Sequence, residues 1–339
     1  MADSKSRPAK KRTAAPKSKP RARPFPLKRY KSWTLTILAA SVLIFGNWFA
    51  HQPAAERNRY GELTPFIESV GLITAGLTDT LGLTGRDASV PYLSEVPVRG
   101  PLPFGEPEIT DRNKAPSWVL LKRKGYWSAW VPELRHPLWV AYAVPVRKLS
   151  NYPQPRPSGF DKDTAAKNSP SSGDYTGSGY DRGHMAPNYV IATRYGRAAQ
   201  LETFLMSNIS PQRPGLNRGP WKDLEKIVAD DLSAAGDIVY VITGAVPNRR
   251  QKLKKTTVRI PVGFYKIIAA VHRGRLRVIS AYMPQDIRSD KHPRYTLCSV
   301  DMIEALTGLN FFPTLSEERQ HTLESVEPTR FWPLWSLFK

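Results

Sequence analysis

Short apolar runs, rich in aromatic and β-branched side chains and separated by polar or glycine-containing breaks, recur from Trp118 onward. Trp118–Leu121, Tyr126–Trp130, Leu138–Val144, Ile238–Thr243, Gly263–Val271 and Arg277–Tyr282 each have the composition and length of a strand. Helical spacing of apolar positions predicts helices over Arg197–Phe204 and Trp221–Ala234. A third is predicted over Ser299–Leu306, with Ser299 as its N-cap. Strands interleaved with a few helices, with no internal repeat, predict an α+β domain built on a central antiparallel sheet.

Upstream the pattern changes twice. Trp33–Ala50 (WTLTILAASVLIFGNWFA) carries no charge and is close to the ~17 residues a helix needs to cross a bilayer. Trp33 and Trp48 stand where the two membrane interfaces would be, and the Lys/Arg-rich flank before them predicts that end inside and the remainder outside. A cleaved signal peptide would show the same basic-then-apolar order. Asn47–His51 lacks an A-x-A pair, however, and the basic segment is long, so an uncleaved anchor is expected. Over 55–86, Leu63, Phe66, Ile67, Val70, Ile73 and Leu77 fall near helical spacing and suggest a spacer or self-association helix. Thr84–Asp111 is rich in Gly and Pro and reads as a linker. The expected organisation is a basic tail (1–32), an anchor (33–50), a juxtamembrane helix and linker (51–110), a catalytic domain (111–315) and a C-terminal tail (316–339).

Charge adds a partner class. The 339 residues carry a formal net charge of +21, which suits a polyanion, either nucleic acid or an anionic membrane surface. Residues 1–31 alone hold twelve Lys/Arg against one acid, Asp3, and have too little to bury to fold alone. Cys298 is the single cysteine, so no intrachain disulfide can form. No Cys/His cluster and no HExxH exists, so neither a structural zinc nor a zinc-protease site is supported.

The densest chemistry is Asp174–Asn188 (DYTGSGYDRGHMAPN), a glycine-rich stretch expected as a loop. His184 within it can accept a proton near neutral pH. Asn208–Gln212 (NISPQ) and Leu216–Glu225 (LNRGPWKDLE) follow closely. In this order and spacing, the three motifs resemble the DNA/RNA non-specific endonucleases of the ββα-metal group, the Serratia nuclease and endonuclease G type. The resemblance spans roughly Lys114 to Pro313. It implies a ββα-metal fold, Mg²⁺ or Mn²⁺ as cofactor, and DNA and RNA as substrates cut to 5′-phosphate and 3′-hydroxyl ends.

Residue by residue, the resemblance makes His184 the general base and Asn217 the direct metal ligand, with Glu225 acting on the metal through water. A neutral amide oxygen suits Mg²⁺, which keeps most of its waters. Arg182, inside DRGH, and Arg156, upstream, are the phosphate-contacting candidates, since guanidinium binds phosphate oxygens bidentately. Asn208 supports the site, and Asp181 holds the loop. The chain departs from the family pattern at Ala229, where Serratia-type members carry an arginine four residues after the glutamate. Lys222 and Lys226 stand near enough in sequence to replace that charge.

The expected activity is therefore a membrane-anchored, sugar-non-specific endonuclease facing the periplasm, or alternatively the mitochondrial intermembrane space. Two other readings stay open at this point. One is a tethered nucleic-acid receptor with weakened catalysis, and the other a phosphodiesterase acting on a small or lipid-linked substrate.

Overall fold

The structure, a computed structural model, describes residues 89–91, 100–146, 148–149, 155–233, 238–272, 275–328 and 331. The chain divides into two units, Met1–Thr78 and Asp79–Lys339. The expected anchor at 33–50 and the helix at 55–86 lie outside the described residues. Among the described residues no helix is long and apolar enough to cross a membrane.

The second unit is built on one antiparallel sheet. Its main strands are β1 (Ser89–Pro91), β2 (Val119–Lys122), β3 (Trp127–Val131), β4 (His136–Val144), β7 (Val239–Val246), β8 (Gly263–His272) and β9 (Arg275–Pro284). Their order is β1-β9-β8-β7-β4-β3-β2, and β10 (Leu297–Cys298) pairs on β9. A second, two-stranded ribbon joins β5 (Asp181–His184) to β6 (Ile209–Gln212). Six helices complete the described fold: α1 (Asn188–Tyr195), α2 (Arg197–Glu202), α3 (Pro214–Arg218), α4 (Pro220–Lys226), α5 (Val300–Thr307) and α6 (Glu317–Glu324).

Every residue of β4 is buried, because both faces of the sheet are covered. Successive side chains of a strand point to opposite faces, and the two cores divide accordingly. Trp139, Ala141, Ile267 and Ala269 pack on one side with Val300, Ile303 and Leu323 of the C-terminal helices. Val140, Tyr142, Val144, Phe264, Ile268 and Ala270 pack on the other with Met185, Ala186, Trp221 and Leu224. The sheet thus carries the DRGH ribbon and α4 on one face and α5 with α6 on the other.

Three stretches differ from their sequence-based expectation. Residues 100–110, expected as linker, belong to the folded unit. Phe104 is buried and meets Phe312 edge-on at 5.5 Å, and Glu108–Ile109 pairs with Leu309–Asn310. The C-terminal 316–339 includes α6, whose Leu323 is buried in the core. The helix expected over Trp221–Ala234 runs as α4 and then continues as a π-helical segment over Ile227–Leu232. The wider turn adds one residue per repeat, an arrangement that tends to occur beside functional sites.

Candidate active site

The DRGH segment, expected as a loop, forms β5, and its partner is the ISPQ segment β6. Their register sets Arg182 opposite Pro211 and His184 opposite Ile209. The glycines before β5 permit the tight entry: Gly179 sits at φ +83, in the left-handed region that favours glycine. Just past His184, Asn208 holds the chain in place. Its Oδ1 accepts from Ala186 N (2.9 Å), and its Nδ2 donates to the carbonyls of Ala186 and Thr203 (3.0 Å each). With its amide spent on the main chain and its side chain fully buried, Asn208 braces the strand and does not line the cleft.

The ribbon and α4 enclose an open cleft of about 780 Å³ lined by Arg156, Arg182, His184, Asn217, Glu225 and their neighbours. The fold brings five of the six site candidates together there. His184 is partly buried, its ring 5.4 Å from Phe160 and 5.0 Å from Phe204. Its Nε2 is covered and meets no hydrogen-bond partner. Burial, with the Arg156 guanidinium as the second cause, holds the imidazole far below its usual range, at about 3. His184 is therefore neutral at physiological pH, the form a general base requires.

Arg182 is oriented by its own strand's approach. Its Nε and Nη2 donate to Ser172 O (3.2 and 2.5 Å), and Nη2 also reaches Thr176 Oγ1 (3.1 Å). Among the described residues Nη1 makes no hydrogen bond. Arg156 is exposed at the cleft, its guanidinium carbon 5.4 Å from the Phe204 ring.

Asn217 ends up facing the cleft through a break between two short helices. At Gly219 a side chain would meet Ser289 O at 2.4 Å, so only glycine lets α3 turn into α4 there. Asp181 then fixes the amide: Asn217 Nδ2 donates to Asp181 Oδ2 at 2.9 Å. Arg218 grips the same carboxylate with Nε (2.8 Å) and Nη2 (2.7 Å). With its nitrogen committed, Asn217 presents Oδ1 as its free oxygen. Glu225 Oε1 is also covered and makes no well-formed hydrogen bond among the described residues, although the Trp221 indole lies close enough to favour its charged form. An orphaned buried acceptor costs about 1–3 kcal/mol, and an amide oxygen with a carboxylate is the donor set a hard cation prefers. The residues present therefore fit Mg²⁺.

Ala229, the departure from the family pattern, is buried in the core, and its carbonyl accepts from Arg194 Nη2 at 2.9 Å. It does not line the cleft, whereas Lys222 and Lys226 do. Arg156, Arg182, Lys222 and Lys226 line the cleft against the acids Glu225 and Asp230, while Arg218 is paired with Asp181, so the cleft is cationic.

One residue of the site escaped sequence reasoning. Lys266, within the apolar run of β8, is fully buried beneath α4. Its Nζ lies 4.3 Å from the Trp221 ring centroid and 3.3 Å from Thr243 Oγ1. Burial pushes Glu225 up from the ordinary carboxylate range, and the Lys266 charge pulls it back. The signal was a lone lysine in a strand with no polar alternation (GFYKIIAAV).

Comparisons with known proteins identify the family. The model of the DNA/RNA non-specific endonuclease family matches residues 110–318. The chain belongs to that family. It is 30% identical over 211 residues to human mitochondrial endonuclease G, covering 58% of this chain and 70% of that one. A nuclease from Nostoc is 34% identical over 161 residues, 44% of this chain and 57% of that protein. Among solved structures, an EndoG/EndoGI complex matches with a TM-score of 0.53 and 27% identity, covering 62% of this chain and 92% of that chain. This endonuclease therefore has a mixed α/β nuclease fold with a central antiparallel sheet.

The placement of Lys266 leads to an expected result. Lys266→Met removes a charge that offsets part of the upward push on partly buried Glu225, so the proton stays on Glu225 to higher pH. Cleavage at pH 7 falls by about tenfold and recovers as pH rises, one pKa unit being a factor of ten. A uniform loss across pH 6–9 would mean that Lys266 acts only through packing.

Proposed function

We propose that this endonuclease hydrolyses the phosphodiester bonds of DNA and RNA with His184 as general base and one divalent cation, Mg²⁺ or Mn²⁺, at Asn217. We further propose that residues 33–50 hold it in a membrane with the nuclease domain outside the cytoplasm, on the periplasmic face or in the mitochondrial intermembrane space. The observation that carries the catalytic reading is the convergence of His184, Asn217, Glu225, Arg156 and Arg182 on one cationic cleft.

In this reading neutral His184 takes the proton of the attacking water. The unspent Nη1 of Arg182 and the exposed guanidinium of Arg156 bind phosphoryl oxygens and stabilise the charge that builds there. Asn217 Oδ1 holds the cation and Glu225 supports it indirectly; when bound, the cation neutralises charge on the phosphoryl group and leaving oxygen. Lys222 and Lys226 bind flanking phosphates without reading bases, so affinity falls steeply with salt.

One preparation tests both halves. Membranes containing the full-length chain are washed with alkaline carbonate, returned to pH 7.5 and given supercoiled plasmid or RNA. The expected result is that the chain stays with the membranes and degrades both substrates with Mg²⁺ but not with EDTA. A soluble chain lacking residues 1–51 would overturn the anchor alone. Cleavage that persists in EDTA would overturn the cation, and failure to cut either polymer would overturn the nuclease reading.

A further inference from the structure

On the face of the sheet opposite the cleft, three carboxylates meet. Asp301 and Glu304 stand three residues apart on α5 and so share a face, while Glu324 closes α6. One oxygen from each lies within 4.8 Å of the others. The arrangement is more than a surface cluster, because Glu324 is only 4% exposed and its Oε1 is covered without a hydrogen-bond partner. Glu304 is fixed by accepting from Phe311 N at 2.9 Å. Among the described residues no Lys or Arg forms an ion pair with any of the three.

Such a group needs compensation. A buried carboxylate is costly unless it meets a cation or takes up a proton. Burial, with the neighbouring acids adding to it, pushes Glu304 up to about 7 and Glu324 up to about 8. The donors are all oxygen, which selects a hard ion over zinc or copper. Three carboxylates suit Ca²⁺, which accepts six to eight oxygens in a flexible shell. Mg²⁺ takes fewer carboxylates and insists on an octahedron. Asp301 is exposed, which leaves the outer side open to water ligands.

We propose that Asp301, Glu304 and Glu324 form a Ca²⁺ site that clasps α5 to α6, separate from the catalytic cleft. Its role is to stabilise the C-terminal helices against the sheet, where Ile303 and Leu323 already pack in the same core.

The test uses the full-length chain in detergent carrying Asn217→Ala, so that cation binding in the cleft is weakened. Ca²⁺ alone, at about 100-fold over its Kd, is expected to raise the melting temperature by roughly 5–10 °C. Adding Asp301→Asn, an exposed change that leaves the core intact, is expected to move the Ca²⁺ midpoint up at least tenfold. Glu324→Gln should abolish the response. The proposal is overturned if Ca²⁺ gives no rise, or if the rise is the same in both variants, which would place the ion elsewhere. It is also overturned if Asp301→Asn raises the melt of the Ca²⁺-free chain while Ca²⁺ is inert, the behaviour of acids that share protons. An equal response to Mg²⁺ would refute the choice of ion.

Discussion

Replacing His184 with alanine is expected to lower kcat/KM for plasmid cleavage by roughly 10²–10⁴-fold, the usual contribution of a positioned general base, while binding of nucleic acid persists. The ring sits between Phe160 and Phe204, so alanine also opens a gap beside two aromatics. His184→Asn fills part of that gap and cannot accept a proton, and it should lose as much activity with a smaller change in melting temperature. The pH profile supplies a second measurement. Because burial and Arg156 depress the folded-state value to about 3, the base form predominates from about pH 4 upward, and protonation removes it only below that. His184 should therefore contribute no acid limb of its own near the ordinary imidazole value of ~6.5; a limb at about 7 in the native chain belongs to Glu225, and Glu225→Gln should remove it. Near-native cleavage by folded His184→Asn would remove His184 from the mechanism. An acid limb at ~6.5 that persists in Glu225→Gln would show a more solvated His184 ring than this packing allows.

Much of the scaffold is legible in the sequence because its strands bury whole faces. The run Leu138–Val144 lacks polar residues altogether, and β4 is indeed covered on both sides. Local propensity fails where pairing is long-range or irregular. DRGH and ISPQ contain glycine and proline, which argue against strands, yet they pair as an isolated ribbon whose register no local signal specifies. The Pro- and Gly-rich stretch before Asp111 resembles a linker, but Phe104 finds Tyr240 and Phe312 across the core. The apolar spacing after Trp221 is helical, and nothing in it marks the change to π geometry at Ile227.

The candidate site shows the same division. His184, Arg182, Asn217 and Glu225 are identifiable from motif order, since each motif carries its own residue type at fixed spacing. What surrounds them is not. Asp181 shows its partner only once β5 brings it against α3, and Lys266 reaches Glu225's surroundings only through the pleat of β8. The acids of α5 lie twenty or more residues before Glu324 in sequence and meet it only when α5, the expected helix, packs against α6, which forms in the stretch expected as a tail.

Asn217→Ala is expected to give the largest change in metal dependence. The variant loses the one oxygen that Asp181 turns toward the cleft by holding the amide nitrogen at 2.9 Å. A cation that takes few protein ligands depends strongly on each, so the Mg²⁺ midpoint for cleavage should rise at least about tenfold, or activity should vanish. Stability should change little, because Asn217 is only partly buried and Arg218 still holds Asp181 with two hydrogen bonds. Asp181→Asn offers a finer comparison: it keeps the ligand but weakens the contact that orients it, and should move the midpoint less than Asn217→Ala does. Glu225→Gln should also be milder, since an amide oxygen still accepts a hydrogen bond. Mg²⁺ binding measured by calorimetry on the uncleaving His184→Asn background separates affinity from rate. If Asn217→Ala melts several degrees lower yet keeps the native Mg²⁺ midpoint, Asn217 is only the turn residue that ends α3. The cation would then have to be held by groups other than the amide that Asp181 orients.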